Sequence, residues 1–135
     1  MRRIMTTIAL LGLSLFVLLA PTPASAASTV DVTSATLVAR GVAVDVTITV
    51  ACPAGMSGGV ELSLRQRSGN GVAYGSGWAP VACTGEPQEV TGRVAAQADG
   101  EIFRNGETLV NVGFELCGQE GCEYPQINDT IRVTH

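Results

Sequence analysis

A strict alternation of side-chain character over residues 42–52 constrains the fold more than any other feature of the chain. Every second residue of this stretch is apolar: Val42, Val44, Val46, Ile48, Val50 and Cys52. The residues between them are small or polar: Ala43, Asp45, Thr47, Thr49 and Ala51. Successive side chains of a β-strand point to opposite faces, so a period of two that is rich in β-branched residues predicts a half-buried strand.

The same period of two recurs along most of the remaining chain. It is clear in residues 60–64, 90–94, 108–116 and 127–133, and weaker over residues 30–38, where we expect an interruption near Ser34. Turn-forming pairs separate several of these segments: Asn70-Gly71, Asp99-Gly100 and Asn105-Gly106. No window of about twelve residues carries a helical stripe. We therefore predict an all-β domain of six or seven short strands, an antiparallel β-sandwich with a small barrel as the alternative.

The first 26 residues have the organisation of a secretory signal peptide. A positively charged start, Arg2-Arg3, precedes an uncharged and mostly apolar run over residues 4–20. The Ala24-Ser25-Ala26 sequence that follows has the small residues of a cleavage site. We predict cleavage after this triplet, or after Ala27 as the alternative. The product is a single secreted domain of residues 27–135, with no membrane anchor after cleavage.

Four cysteines in a small exported domain favour disulfide bonds. Cys52 lies on the apolar face of its strand, whereas Cys117 follows the inward-facing Leu116 and therefore points outward. A Cys52–Cys117 bridge would need both side chains inward, so we predict Cys52–Cys83 and Cys117–Cys122 instead. Neither the spacing of the cysteines nor the histidine content suits a zinc site, and the C-x-x-C redox spacing is absent. We expect no metal.

The sequence is poor in the side chains that catalyse reactions. It has no lysine, and its one histidine is His135, so the common catalytic triads and lysine nucleophiles are not available. A net charge of −4 argues against nucleic acid as a partner. The acidic candidates for glycoside hydrolysis occupy outward strand positions, except Asp129, for which a strand edge or bulge is expected: Asp45, Glu61, Glu89, Glu115 and Asp129. We predict that the protein is not an enzyme and has no cofactor.

The most unusual segment is residues 68–80, which holds four glycines together with Tyr74 and the single tryptophan, Trp78. We interpret it as a long glycine-rich connection that presents both rings to a partner, since aromatic anchors dominate many binding sites. Tyr124 joins this site if its loop lies at the same end of the domain. The competing interpretation is that the rings cover the edge of the sandwich. The partner could be an extracellular protein, a glycan or a small molecule.

Several structural motifs resemble small secreted actinobacterial β-sandwich proteins of unknown function. The matching features are the 42–52 strand, Leu64-x-Gln66-Arg67, Val81-x-Cys83-Thr84-Gly85 and Phe103-x-x-Gly106. This resemblance implies export and an immunoglobulin-like fold, so the expected architecture is an antiparallel immunoglobulin-like β-sandwich of about seven strands with two disulfides. A weaker resemblance, to neocarzinostatin-type apoproteins, lies in the short Cys117–Cys122 loop. Those proteins carry an apolar chromophore in a cleft.

Together these features predict a non-catalytic exported binding or interaction domain. Two alternatives remain open. One is a small apolar-ligand carrier of the neocarzinostatin type. The other is a secreted hydrolase inhibitor that presents the disulfide-closed loop of residues 118–121.

Overall fold

A computed structural model describes residues 27–135. The predicted signal peptide, residues 1–26, lies outside the described residues. The chain forms eight strands: β1 (Thr29–Val38), β2 (Ala43–Ala51), β3 (Ser57–Ser68), β4 (Gly71–Ala82), β5 (Gln88–Ala96), β6 (Gly106–Gly118), β7 (Gly121–Glu123) and β8 (Gln126–Thr134). Within residues 27–135 the only helical element is a 3₁₀ turn, Ala39–Gly41, so the predicted all-β class is confirmed.

Seven of the strands pair in a closed ring, which differs from the predicted antiparallel sandwich. The order around the ring is β3-β4-β5-β2-β1-β8-β6, and β6 pairs back with β3, whereas β7 pairs with β6 alone. A closed ring with an odd number of strands cannot be antiparallel throughout. The parallel pair is β1–β8, which makes the barrel mixed. Closure pairs strands that would otherwise form exposed sheet edges.

The hydrogen-bonded ladders that close the ring of strands differ in length. β4 pairs with β5 only through Gly75↔Ala96 and Ser76↔Ala95, and β1 pairs with β8 only through Ala35↔Val133 and Thr36↔Thr134. The other ladders in the ring run along most of each strand. Two short seams therefore join a three-stranded half, β1-β2-β5, to a four-stranded half, β4-β3-β6-β8.

The alternating patterns point their apolar residues into the barrel, as predicted. Val44, Val46, Ile48 and Val50 of β2 have no exposed surface, and the inward-facing apolar residues of β3 and β6 are buried as well. Val42 is the exception, because the strand begins only at Ala43 and leaves Val42 55% exposed. The predicted interruption of β1 is confirmed by a change of register between Val32 and Ser34.

The glycine-rich segment is a strand, which corrects its interpretation as a connection. It pairs along its length with β3 as β4, beyond a turn at residues 69–70. A Cβ atom on Gly75 would lie 2.0 Å from the carbonyl oxygen of Ala95, and one on Gly77 would lie 2.1 Å from that of Arg93. Glycine is needed at both positions because β5 crosses β4 at close range. The backbone that these glycines leave uncovered is contacted by β5 of the same chain and not by a binding partner.

Both predicted disulfides form. The barrel-end bridge, Cys52–Cys83, joins the segments that follow β2 and β4, and the hairpin bridge, Cys117–Cys122, closes the turn between β6 and β7. Ser57 of β3 pairs with Ala82, which precedes Cys83, on one side and with Cys117 on the other. The two bridges therefore lie at the same end of the barrel. In the part of the chain that the structure describes, no helix has the length and apolarity needed to span a bilayer.

Candidate binding face

The outer surface of the four-stranded half carries most of the predicted binding residues, and we call it the outer face. Strand alternation defines it, since the neighbouring residues on β3 and β6 are buried in the barrel and most of those on β4 are as well. The pairing register arranges its side chains in rows across β4, β3, β6 and β8. The three central rows are Trp78–Glu61–Gly113–Gln126, Ser76–Ser63–Asn111–Asn128 and Tyr74–Arg65–Leu109–Thr130.

Trp78 lies across the neighbouring strand. A Cβ atom on Gly59 of β3 would lie 2.1 Å from the indole Nε1 atom, 2.3 Å from Cε2 and 2.5 Å from Cζ2. The ring therefore rests on the bare backbone of Gly59, while 63% of the residue stays exposed. The Nε1–Cε2–Cζ2 side of the indole is therefore packed against the sheet, and most of the residue remains open to solvent. This indole is a preformed, flat apolar surface.

Tyr124 lies on the same face. β6 pairs with β7 and with β8 in one continuous register, and between them the N–H of Phe114 donates to the carbonyl oxygen of Pro125 (3.0 Å). This register puts Tyr124 opposite Glu115, which in turn pairs with Gly59 beneath the indole. The Tyr124 backbone is then roughly 10 Å from that of Gly59, or two strand spacings. Tyr124 is 64% exposed.

Tyr74 is the third predicted aromatic residue and lies toward the margin of the face. It points outward from β4, roughly 13 Å along the strand from Trp78. Its ring contacts the turn that follows β5, since a Cβ atom on Gly100 would lie 3.0 Å from the Tyr74 Cε1 atom. A hydrogen bond to the Asp99 carboxylate, with smaller contributions from desolvation and from the Asp99 charge, raises the pKa of the Tyr74 phenol above 10.0.

Hydrogen-bonding groups fill the space between the rings. Glu61 is the direct cross-strand neighbour of Trp78, and Glu115 is a diagonal neighbour of Glu61 on β6. In the next row the Nδ2 atom of Asn111 donates to the Oδ1 atom of Asn128 (2.8 Å). Sequence reasoning missed this amide row and treated the two glutamates as separate surface acids. Only the pairing register, which no local pattern encodes, brings them beside Trp78.

The remaining acidic candidates are dispersed. Asp45 lies on β2, in the other half of the barrel. Its carboxylate accepts two hydrogen bonds from Arg93, from Nε (2.7 Å) and Nη2 (2.8 Å). Hydrogen bonding to Arg93 lowers the pKa of Asp45, burial opposes that effect, and the charge of Arg93 adds to it. Glu89 is exposed on β5. These positions do not converge on one site.

Asp129 is exposed although it shares the parity of inward-facing residues. β8 pairs with β1 only at its last residues, which leaves this part of its edge open to solvent. The position therefore matches the strand edge that was expected. Within residues 27–135, no group of three or more His, Cys, Asp or Glu side chains is arranged to hold a metal ion.

A cleft of about 590 Å³ lies at the disulfide end, between the loop of residues 53–56 and the hairpin of residues 118–123. Its lining mixes Met56 with the carboxylates of Glu120 and Glu123. Glu123 also accepts a hydrogen bond from the Ser28 hydroxyl (2.7 Å). Carboxylates at this cleft are a poor match for an apolar chromophore.

No protein-family model matches the chain, and no curated protein or solved structure is significantly similar to it. The resemblances to secreted actinobacterial β-sandwich proteins and to neocarzinostatin-type apoproteins therefore remain predictions that rest on the motifs quoted above.

Proposed function

We propose that the protein is a secreted, non-catalytic binding domain whose outer face contacts a neutral glycan chain. One observation carries the proposal: Trp78 is 63% exposed, yet one side of its indole ring is packed against Gly59. An exposed indole in a fixed orientation is a preorganised binding surface, because little side-chain freedom is lost when a partner covers it.

The chemistry around the indole favours a sugar. The C–H groups on one face of a pyranose ring carry partial positive charge and stack on the electron-rich face of an aromatic ring. Carboxylates such as Glu61 and Glu115 accept hydrogen bonds from hydroxyl groups, and the Asn111 and Asn128 amides can both donate and accept. The core of a protein–protein interface, by contrast, is depleted in charged residues, and here two carboxylates lie next to the ring.

Export is part of the proposal. It is supported by the predicted signal peptide and by the two disulfides, because such bonds persist in oxidising compartments. We also propose that the barrel is related to the immunoglobulin-like β-sandwiches. It is supported by the two halves of the barrel, each with long antiparallel ladders, which meet only at short seams.

The test is retention of the disulfide-bonded protein in affinity gels that contain individual neutral polysaccharides. We expect retention by at least one, and Trp78→Ala should weaken it by roughly 30-fold if the ring contributes about 2 kcal/mol. Val42→Ala is the matched control, since Val42 is also an exposed apolar residue but lies outside the outer face. Retention that Trp78→Ala leaves unchanged would refute the site. Capture of a protein partner through Trp78, with no glycan retained, would refute the ligand class.

A hydrolase inhibitor is the second candidate, because the hairpin bridge closes a loop with an exposed tip. Gln119 and Glu120 form that tip, and β7 beyond it is only three residues long. Replacement of both tip residues by Gly-Ser should abolish inhibition of a hydrolase panel if this function holds. The same replacement should leave retention by glycans intact if the outer face is the binding site.

A further inference from the structure

A second cleft, of about 510 Å³, lies at the end of the barrel opposite the disulfides. Its side chains include Arg40, Arg104 and His135, beside an apolar wall of Leu37 and Ile102. The chain as a whole is acidic, with 12 Asp and Glu residues against 8 arginines. Nevertheless, no Asp or Glu lines this cleft. It therefore places two arginine guanidiniums beside one cleft of an acidic protein.

The loop that carries Arg104 is held by a buried amide. The Gln66 side chain is 4% exposed; its Oε1 atom accepts a hydrogen bond from the Arg104 N–H (2.7 Å), and its Nε2 atom donates to the Arg104 carbonyl oxygen (2.7 Å). The same Nε2 atom donates to the Thr108 hydroxyl (2.9 Å). The Ser68 hydroxyl, also buried, donates to the carbonyl oxygen of Ile102 (2.8 Å). A fully satisfied polar network of this kind rigidifies the segment it holds.

Arg40 is held from the other side, in a strained backbone conformation. Its φ angle is 60° and that of Ala39 is 49°, in the left-handed region that non-glycine residues rarely adopt. The following residue, Gly41, accepts a hydrogen bond from the Phe103 N–H (2.9 Å). A Cβ atom on Gly41 would lie 2.0 Å from the carbonyl oxygen of Phe103. The turn is thus docked directly on the backbone next to Arg104.

Both guanidiniums are available to a ligand. Arg40 and Arg104 are exposed, and in the described part of the chain the ion pair that forms is Arg93–Asp45, in which neither takes part. A strained backbone that brings two positive charges to one cleft lowers the stability of the fold. Strain of this kind is found most often at ligand sites. Ile102 is 44% exposed and gives the cleft an apolar wall beside the charges.

We propose that this cleft binds a small amphiphilic anion, a carboxylate or sulfonate attached to a short apolar group. Arg40 and Arg104 contact the acidic group through charge-assisted hydrogen bonds, and Leu37 and Ile102 cover the apolar part. The site is separate from the outer face, so the proposal does not depend on glycan binding.

The probe is 8-anilinonaphthalene-1-sulfonate, whose fluorescence rises when it leaves water. We expect saturable binding to the disulfide-bonded protein, which weakens as salt is added. Arg40→Gln and Arg104→Gln should each weaken the affinity by about 10-fold. Arg132→Gln is the matched control: it removes the same charge from the outward side of β8 and should change the affinity by less than about twofold. Hexanoate should displace the probe, and hexanol of the same chain length should not.

Far-UV circular dichroism checks that each variant is folded. Both arginine side chains are exposed and the clamp on residue 104 uses its backbone, so both variants should keep the fold. Equal weakening by Arg132→Gln would show that overall charge, and no defined site, attracts the probe. Displacement by hexanol as strong as by hexanoate would show a purely apolar site. Absence of saturable binding, or unchanged affinity in both cleft variants, would also overturn the proposal.

Discussion

Replacing Gly59 with alanine tests whether the Trp78 ring packs against β3 at this residue. The new methyl group would lie 2.1 to 2.5 Å from three ring atoms, whereas non-bonded carbon atoms settle about 3.5–4.0 Å apart. The ring must therefore move outward by about 1.5 Å or rotate away from the strand. No backbone strain is expected at residue 59 itself, because its φ angle is not positive.

The size of the effect follows from the exposure of Trp78. With 63% of the residue exposed, the buried remainder corresponds to about 70 Å², or about 1.8 kcal/mol at about 25 cal/mol per Å². This is an upper bound, since unfolded chains also bury some surface. Alanine in place of a strand glycine stabilises by about 0.5–1 kcal/mol, so Gly59→Ala should have a net cost of about 1 kcal/mol.

A double-mutant cycle isolates the contact. In a Trp78→Ala background there is no ring to displace, and Gly59→Ala should then stabilise the fold by about 0.5–1 kcal/mol. Unfolding in urea should be followed by far-UV circular dichroism, because Trp78 is the only tryptophan and its removal abolishes the fluorescence signal. Trp78→Ala alone should cost less than about 2 kcal/mol, well under the 3 kcal/mol or more that is usual for a buried tryptophan.

Two outcomes would refute the reasoning. If Gly59→Ala has the same effect in both backgrounds, within about 0.5 kcal/mol, the ring does not rest on Gly59. If Gly59→Ala preserves glycan retention in full while shifting the Trp78 emission spectrum, the position of the ring against Gly59 is not what binds the sugar.

Three further predictions concern the barrel. Loss of the barrel-end bridge, whose cysteines are 31 residues apart, should lower the free energy of unfolding in urea by about 3.7 kcal/mol. Loss of the hairpin bridge, whose cysteines are 5 residues apart, should lower it by about 2.2 kcal/mol. The reverse order would contradict the loop-entropy argument. Gly75→Ala should destabilise by about 2–3 kcal/mol, because the added Cβ meets the Ala95 carbonyl oxygen, and a neutral effect would disprove the close crossing. Arg93 lowers the pKa of Asp45 from 3.8, so their pairing stabilises the fold above that pH and is lost as the pH falls through the lowered value. Thermal unfolding should accordingly show Asp45→Asn to be less stable than wild type at pH 7 and equal to it in strong acid.

Local side-chain patterns were sufficient to predict most of the strands and the direction in which their side chains face. The alternation in β2 was sufficient because strand geometry converts a period of two directly into an inner and an outer face. The same parity rule excluded a Cys52–Cys117 bridge and led to the two bridges that form. These features depend on interactions between neighbours in sequence or on a single strand, so the sequence alone was enough to predict them.

The glycine-rich strand shows where that reasoning stopped. Gly75 and Gly77 disfavour strands by intrinsic propensity, so residues 68–80 were interpreted as a connection. Their small size is required because β5 passes within contact distance, and this crossing exists only in the folded barrel. Gly59 is similar, since the ring it accommodates comes from a residue on another strand. A glycine in the sequence does not indicate which residue from another strand will pack against it.

The sequence by itself determined an all-β chain, its inward faces and its disulfide pairing, but ring closure and the candidate binding face were decided by the tertiary structure. Trp78, Glu61, Glu115 and Tyr124 come from separate strands, and only the pairing registers bring them to one surface. Likewise, Arg40 and Arg104 line the same cleft because the 3₁₀ turn docks on a distant loop. Register and docking depend on contacts between residues far apart in the chain, which local periodicity does not encode.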